Sequence, residues 1–288
     1  MITIWEKIKT LSEMIKFEYS VFVLPFALMG ALLVERGLPT GGVLFWVVVA
    51  MVAARTAAMT FNRIVDRKFD AANPRTVDRA IPAGVVKVWE AWTLVLLASG
   101  IFFLACAMLN PLALMLSPLA LILAFVYSLT KRFTCFCHLI LGVALALSPL
   151  GGWVAVAGSL IGFPWLLSLG VLLWVAGFDV VYACLDVEFD RSVGLFSLPA
   201  RLGPRQAFRL AGFFHLLAFA CFVGVGLVMD LHFVFGLGLL IAAGTLLYQH
   251  LAVSSNDLAR IRLSFFAMNG LISLGLAVAT WLALVVGG

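Results

Sequence analysis

Charge is what this chain lacks most. Of its 288 residues only 11% are charged, 14 of them acidic, against roughly 25% charged in an ordinary soluble domain. That scarcity, with 64% apolar residues and a mean hydropathy of +1.14, excludes a soluble globular domain, a disordered chain and a collagen-like one. Cysteine is sparse as well. The five (106, 135, 137, 184 and 221) are odd in number and lie mostly in apolar stretches, so they outline no disulfide framework. Histidine occurs four times, and His138, His215, His232 and His250 all fall near the ends of apolar runs, where an interfacial position is expected. Cys135-Phe-Cys137-His138 lacks the two-residue spacing and second pair of a zinc site, so no zinc is expected there. The alternating ten-residue segments of a membrane β-barrel are missing too.

What is present is long apolar sequence. No Asp, Glu, Lys or Arg occurs in 19–34, 37–54, 91–130, 133–178, 210–229, 231–256 or 263–288. A spanning helix needs about 20 residues, so the runs 91–130 and 133–178 each hold two spans and a turn. Asn110-Pro111 divides the first, because the residue before proline disfavours helix; Gly158 to Pro164 divides the second. The spacing predicts an all-α polytopic membrane protein with nine spans near 19–35, 41–61, 88–108, 111–128, 138–156, 163–184, 206–228, 231–249 and 262–286. Low-complexity segments and linkers are absent, so a single domain over 1–288 is expected.

Orientation follows from the cations. With the N-terminus inside, 17 of the 19 Lys and Arg lie in inside segments, as the positive-inside rule requires. Arg36 is outside and Arg55 lies within a span. The net charge of +5 then reflects topology and anionic headgroups, and no nucleic-acid partner is expected. Residues 1–18 mix three glutamates with lysines, while Ile4, Trp5, Ile8, Leu11 and Ile15 recur at helical spacing. An interfacial amphipathic helix is expected there, and no signal peptide.

Two acidic clusters stand out. The inside segment after the second span carries Asn62, Asp66 and Asp70; the one after the sixth carries Asp179, Tyr182, Asp186 and Asp190. Spacings of four, and of three, seven and eleven, share a helical face. Each set is therefore expected as one oxygen-bearing stripe. Oxygen-only clusters suit Mg²⁺, which takes one or two carboxylates plus substrate phosphates and keeps several waters. Two facing stripes could hold Mg²⁺ against a pyrophosphate, with nearby Lys and Arg neutralising the remaining charge. The blander reading is solvated loop charge paired with Arg63, Arg67 and Lys68.

Arg55 interrupts an otherwise charge-free span, and an ionisable group at that depth is costly enough to imply a role. It precedes Asn62 by seven residues, so it shares that face two turns deeper. Either an anionic ligand group above it or a structural pair with Asp179 would account for it. Tyr127 and Lys131, four apart at the end of the fourth span, could present a hydroxyl and an ammonium to phosphate, or serve as an interfacial anchor. Arg75 and Arg79, closing the first acidic segment, are further candidate phosphate donors.

These motifs together (Asn-x-x-x-Asp-x-x-x-Asp at 62–70, Arg-Thr-x-x-Arg at 75–79, Tyr-Ser-x-x-Lys-Arg at 127–132 and Asp-x-x-Tyr-x-x-x-Asp-x-x-x-Asp at 179–190) resemble the UbiA superfamily of intramembrane aromatic prenyltransferases. The resemblance runs from Lys16 through the ninth span. It implies nine helices around a central cavity with a lateral opening to lipid. It also implies Mg²⁺-dependent transfer of a polyprenyl group from its diphosphate to an aromatic acid, in a multi-pass protein of the inner (cytoplasmic) membrane. By position it makes Asn62, Asp66 and Asp70 the first Mg²⁺-diphosphate motif and Asp186 with Asp190 the second. Asp179 and Tyr182 would lie near acceptor or metals, Arg55 at the acceptor's carboxylate, and Tyr127, Lys131 and Arg79 near the diphosphate. Two positions depart from the usual pattern: Arg63 stands where many members have Asp, and Leu185 where many have Gln. Phe17-Glu18-Tyr19 and the stretch after Ser128 resemble the 4-hydroxybenzoate branch, some of whose members prenylate a dihydroxynaphthoate instead. The reading from another class is a transporter, with Arg55 and Asp179 as coupling sites. Transporters often carry inverted repeats, whereas these two motifs sit at one membrane face.

Overall fold

A computed structural model describes residues 10, 11, 13–15, 22–252 and 258–287, with the backbone alone at 252 and 258–266. The expected helix over 1–18 therefore falls largely outside the described residues, Ile4, Trp5 and Ile8 among them. Among the described residues every regular element is helical. We number them α1 (Leu24–Glu35), α2 (Gly41–Ala72), α3 (Val88–Leu109), α4 (Pro111–Thr130), α5 (Cys137–Ala157) and α6 (Trp165–Ala183). Two short helices, α7 (Val187–Ser192) and α8 (Leu198–Leu202), precede α9 (Pro204–Val228), α10 (Phe235–Ala252) and α11 (Leu258–Gly287).

Seven of these helices are long and apolar enough to cross a membrane, and α1 and α10 are shorter apolar helices. The nine match the nine expected spans. Each packs on the next, α6 passing directly to α9, and α11 returns to α1, so the bundle closes on itself as a ring. Both long charge-free runs break where expected. Asn110 accepts the Ala113 N–H (2.9 Å) as the N-cap of α4, and its amide donates to the Val154 carbonyl (2.7 Å), clasping the α3–α4 turn to α5. Gly158, at φ 60°, ends α5. Arg36 reaches across the same end of the bundle to the Met229 carbonyl at 2.7 Å.

Two expectations need correction. The second acidic stripe is not one α-helix: α6 stops at Ala183 and a 3₁₀ turn follows over Cys184–Asp186. The Cys184 N–H is shared between the Tyr182 and Val181 carbonyls. That tightening satisfies the otherwise orphaned last carbonyls of α6, and it turns Asp186 and Asp190 onto new elements. The histidines also differ from expectation. His138 and His215 are buried rather than interfacial. The His215 ring bonds His250 at 2.8 Å, and it fits against α6 only because position 177 is glycine; a Cβ there would overlap its ring.

Close approach of backbones holds the ring together. Gly152 of α5 lies against the Ala27 carbonyl of α1, and Gly30 of α1 against the Pro149 carbonyl, so a Cβ at either glycine would collide with backbone. Small residues at helix crossings supply the packing that a membrane does not drive by itself. Behind this seam Phe26 meets Trp174 (5.3 Å between centroids) and Phe222 (5.8 Å). Gly152→Ala is expected to lower the thermal midpoint of detergent-solubilised protein by about 2–8 °C, as about 1–3 kcal/mol of overpacking would. Gly100→Ala, inside α3 where a Cβ meets open space, should not lower the midpoint in the same melting assay.

Candidate active site

α2 is longer than a bilayer requires. Its 32 residues extend about 48 Å at 1.5 Å each, against an apolar thickness of about 30 Å. The last three turns emerge as a rigid post carrying Asn62, Asp66 and Asp70, so the first stripe is continuous with the span that carries Arg55. After Asn73 the chain turns sharply. The Asn73 side-chain oxygen accepts the Arg75 N–H (2.9 Å) and the Thr76 hydroxyl donates to the Asp70 carbonyl (3.0 Å), a local turn of the kind asparagine favours. This turn aims Arg75 across the bundle.

Three carboxylates near the mouth, Asp66, Asp70 and Asp186, each meet a cation. Asp66, 2% exposed, accepts from Lys131 at 2.6 Å and from Arg132 at 3.1 Å, and Asn62 donates to it at 3.2 Å. Phe69 lies beneath both cations, 6.0 Å from the Lys131 ammonium and 5.5 Å from the Arg132 guanidinium. Asp70 is bound by Arg79 at 2.7 Å. Asp186 takes both prongs of Arg75, with Nε at 2.8 Å, and accepts from Asn73 at 3.0 Å. Arg75 also donates to the Tyr182 hydroxyl at 3.3 Å. Burial alone would lower the Arg75 pKa; the bonds to Asp186 outweigh it and raise the pKa above the ordinary value. Asp179 is held differently, by His138 Nδ1 at 2.7 Å.

All of these groups except Arg132 border one cavity of about 560 Å³, within the range of small-molecule sites. Its wall includes every candidate from the sequence: Arg55, Asn62, Asp66, Asp70, Arg79, Tyr127, Lys131, Asp179, Tyr182, Asp186 and Asp190. The remaining wall is mostly apolar, with Phe22, Met51, Phe102, Leu116 and Leu147 among its residues. Arg63, Asn73, Arg75 and His138 also border it. Arg63 is buried and donates to the Met14 carbonyl at 3.3 Å, fastening the N-terminal segment over α2. Arg75 is already a candidate phosphate donor from the sequence, and Asn73 could have been singled out from the Asn-Pro-Arg turn. His138 could not, because nothing local to it announces a partner 41 positions away.

The donor set fits Mg²⁺ and does not fit zinc. Every side chain of the two motifs offers oxygen, and Asp70 Oδ2 is buried without a hydrogen-bond partner. Among the described residues no three His, Cys, Asp or Glu converge as a ready-made metal cage. Mg²⁺ does not need one, since it shares its coordination with substrate phosphates and water.

An all-helical integral membrane protein with carboxylates and cations at the mouth of an apolar cavity defines a class of intramembrane enzyme, and comparisons with known proteins identify the family. A family model, the UbiA prenyltransferase family, matches residues 23–285. The chain is 34% identical over 230 residues to a 4-hydroxybenzoate octaprenyltransferase of Vibrio cholerae serotype O1, covering 80% of this chain and 81% of that one. It is 33% identical over 242 residues to the enzyme of that name from Shewanella loihica, covering 84% of each. Among solved structures, a UbiA homologue from Aeropyrum pernix K1 superposes with a TM-score of 0.80 at 36% identity, over 94% of this chain and 98% of that one. A homologue from Archaeoglobus fulgidus, solved bound to DMAPP and Mg²⁺, shares the fold with a TM-score of 0.73 at 16% identity, over 94% of this chain and 99% of that one. The chain belongs to the UbiA prenyltransferase family. It is a prenyltransferase, and the transporter reading is set aside.

The Arg75–Asp186 bridge joins the two acidic segments, so it should carry measurable coupling. Arg75→Met is expected to destabilise the ligand-free protein by about 1–3 kcal/mol by leaving a half-buried carboxylate unpaired. Arg75→Met combined with Asp186→Asn should cost less than the two changes summed, by about 1 kcal/mol. Thermal melts of the four proteins measure this, and strict additivity would show that the bridge contributes nothing.

Proposed function

We propose that this enzyme transfers a polyprenyl group from its diphosphate to a 4-hydroxybenzoate-like aromatic acid, with Mg²⁺, in quinone biosynthesis. The observation that carries the reading is the division of one cavity into a charged mouth and an apolar body. A polyprenyl diphosphate is divided in the same way. The names of the relatives favour 4-hydroxybenzoate as acceptor. The excess of Lys and Arg at the charged end supports a cytoplasmic mouth and N-terminus in an inner-membrane protein. We take the whole chain as one functional unit, since the family match and the closed ring both run nearly its full length.

Asn62, Asp66 and Asp70 on one side and Asp186 and Asp190 on the other would hold Mg²⁺. Bound there, the metal supplies charge stabilisation to the departing diphosphate oxygens. Lys131, Arg75 and Arg79 supply the same kind of stabilisation from the protein. Each can exchange a carboxylate for a phosphate oxygen, and the arginines offer paired donors to it. Tyr127, one turn before Lys131 on α4, adds a hydroxyl that can donate. The allylic C–O bond ionises, and the apolar wall keeps water from the resulting cation. Arg55, two turns below Asn62, holds the acceptor's carboxylate and presents the ring carbon next to its hydroxyl to that cation. The ring proton then leaves to a base, and aromaticity returns.

Membranes carrying the protein are to be assayed with Mg²⁺, one polyprenyl diphosphate and either 4-hydroxybenzoate or a dihydroxynaphthoate. Prenylated 4-hydroxybenzoate is expected, lost on chelation. Asp66→Ala and Asp186→Ala should each lower the rate about 100-fold or more; near-normal rates would refute the metal assignment. Arg55→Met should raise the acceptor's KM about tenfold, the value of one charge-assisted hydrogen bond. The KM for the diphosphate should move little, and an equal rise in both would remove Arg55 from the acceptor.

A further inference from the structure

Buried His138 and half-buried Asp179 form a pair on the wall of the cavity that the reaction above leaves unused. His138 is 3% exposed and its Nδ1 lies 2.7 Å from Asp179 Oδ2. Its other nitrogen, Nε2, faces the backbone N–H of Leu198 at 3.3 Å. A carboxylate only accepts, so Nδ1 carries a proton and the His138 ring donates to Asp179. Three elements converge on this arrangement, α5 through His138, α6 through Asp179 and α8 through Leu198, so the carboxylate has one fixed orientation.

We infer that Asp179 is the general base that removes the ring proton from the prenylated acceptor, and that His138 is the positioning residue that orients it. The inference rests on the proposed aromatic acceptor. Depth is the first support. Arg55 lies two turns, about 10 Å, below Asn62 on α2, and Asp179 lies on α6 itself, before the 3₁₀ turn that carries Asp186. Tyr127 feels the charges of both Arg55 and Asp179, which places the three around one volume. A ring anchored at Arg55 thus occupies the cavity that Asp179 borders.

Basicity is the second support. Asp66, Asp70 and Asp186 each bind a full cation, which weakens a carboxylate as a base. Asp190 belongs to the proposed metal set. Asp179 has the His138 ring as its hydrogen-bond partner through Oδ2, which leaves Oδ1 without one among the described residues and able to take a proton at the cavity wall. The step balances simply. The new C–C bond leaves a cationic ring, the C–H bond at that carbon breaks, and its electron pair restores the aromatic sextet. The proton passes to Asp179 Oδ1 and leaves with the released diphosphate.

The test uses the full-length enzyme in membranes and 4-hydroxybenzoate deuterated at both carbons beside its hydroxyl. The wild type is expected to show an isotope effect near 1. In His138→Leu the rate should fall about 10-fold to 100-fold, part of the 10²–10⁴ that a positioned base contributes. The KM for the diphosphate should stay unchanged, and the isotope effect should rise above about 2 as proton removal becomes limiting. His138→Asn, whose amide N–H replaces Nδ1–H, should recover most of the rate and return the effect toward 1. If His138→Leu does not accumulate, Asp179→Asn carries the same readout, with a larger loss. An isotope effect that stays near 1 in a slowed His138→Leu or Asp179→Asn enzyme overturns the assignment, as does a His138→Asn enzyme no better than His138→Leu. Absence of transfer by the wild type would instead refute the proposed reaction.

Discussion

Charges beside a membrane interior persist only when each meets its opposite, and the mouth of this cavity is organised around that requirement. Asp66 with Lys131 and Arg132, Asp70 with Arg79, and Asp186 with Arg75 tie together segments far apart in sequence. Removing one partner from such a pair costs more than the pair itself contributes. On the proposed reading, substrate and metal arrive as a matched set of opposite charges. The cations turn to phosphate as the carboxylates turn to metal, so binding trades partners without exposing any of them unpaired.

The ring of helices sets the other half of the environment. Long apolar helices would close on themselves if nothing kept them apart, and here the spacing is uneven. α1 and α5 touch backbone to backbone at Gly30 and Gly152, which draws one side of the ring tight and fixes its geometry. Ala27 and Gly152 of this seam border the cavity, which extends from it between mostly apolar walls that need no polar partners. An intermediate that reacts with water is best kept in such a place.

Much of this was legible in the sequence because its signals are local. Nine spans follow from where charge is missing, and Asn110-Pro111 and Gly158 end helices by backbone constraints that need no partner. The first acidic stripe was legible for the same reason, since α2 simply continues through Asp70. The second was legible in membership but not in form: the 3₁₀ turn at Cys184–Asp186 depends on how α6 ends against its surroundings. The pairings were not legible at all. His138 meets Asp179, Arg75 meets Asp186 and His215 meets His250 only because of how helices pack. A residue whose partner lies 41 or 111 positions away leaves no periodic trace. Histidines at the ends of apolar runs read as interfacial until Gly177 is known to make room for one of them.

The long helix α2 has a consequence for how such a chain can change. Arg55 and Asp66 stand on one unbroken rod eleven residues apart, so their separation and relative bearing are set by helical pitch. A loop can absorb an extra residue; this stretch cannot. One residue gained or lost between them would swing the acidic stripe by about 100° around the helix and turn Asp66 and Asp70 away from the cavity that Arg55 still faced. Substitutions can retune this region one position at a time, but its length is closed to variation, and evolution must seek new acceptors or longer chains elsewhere on the wall.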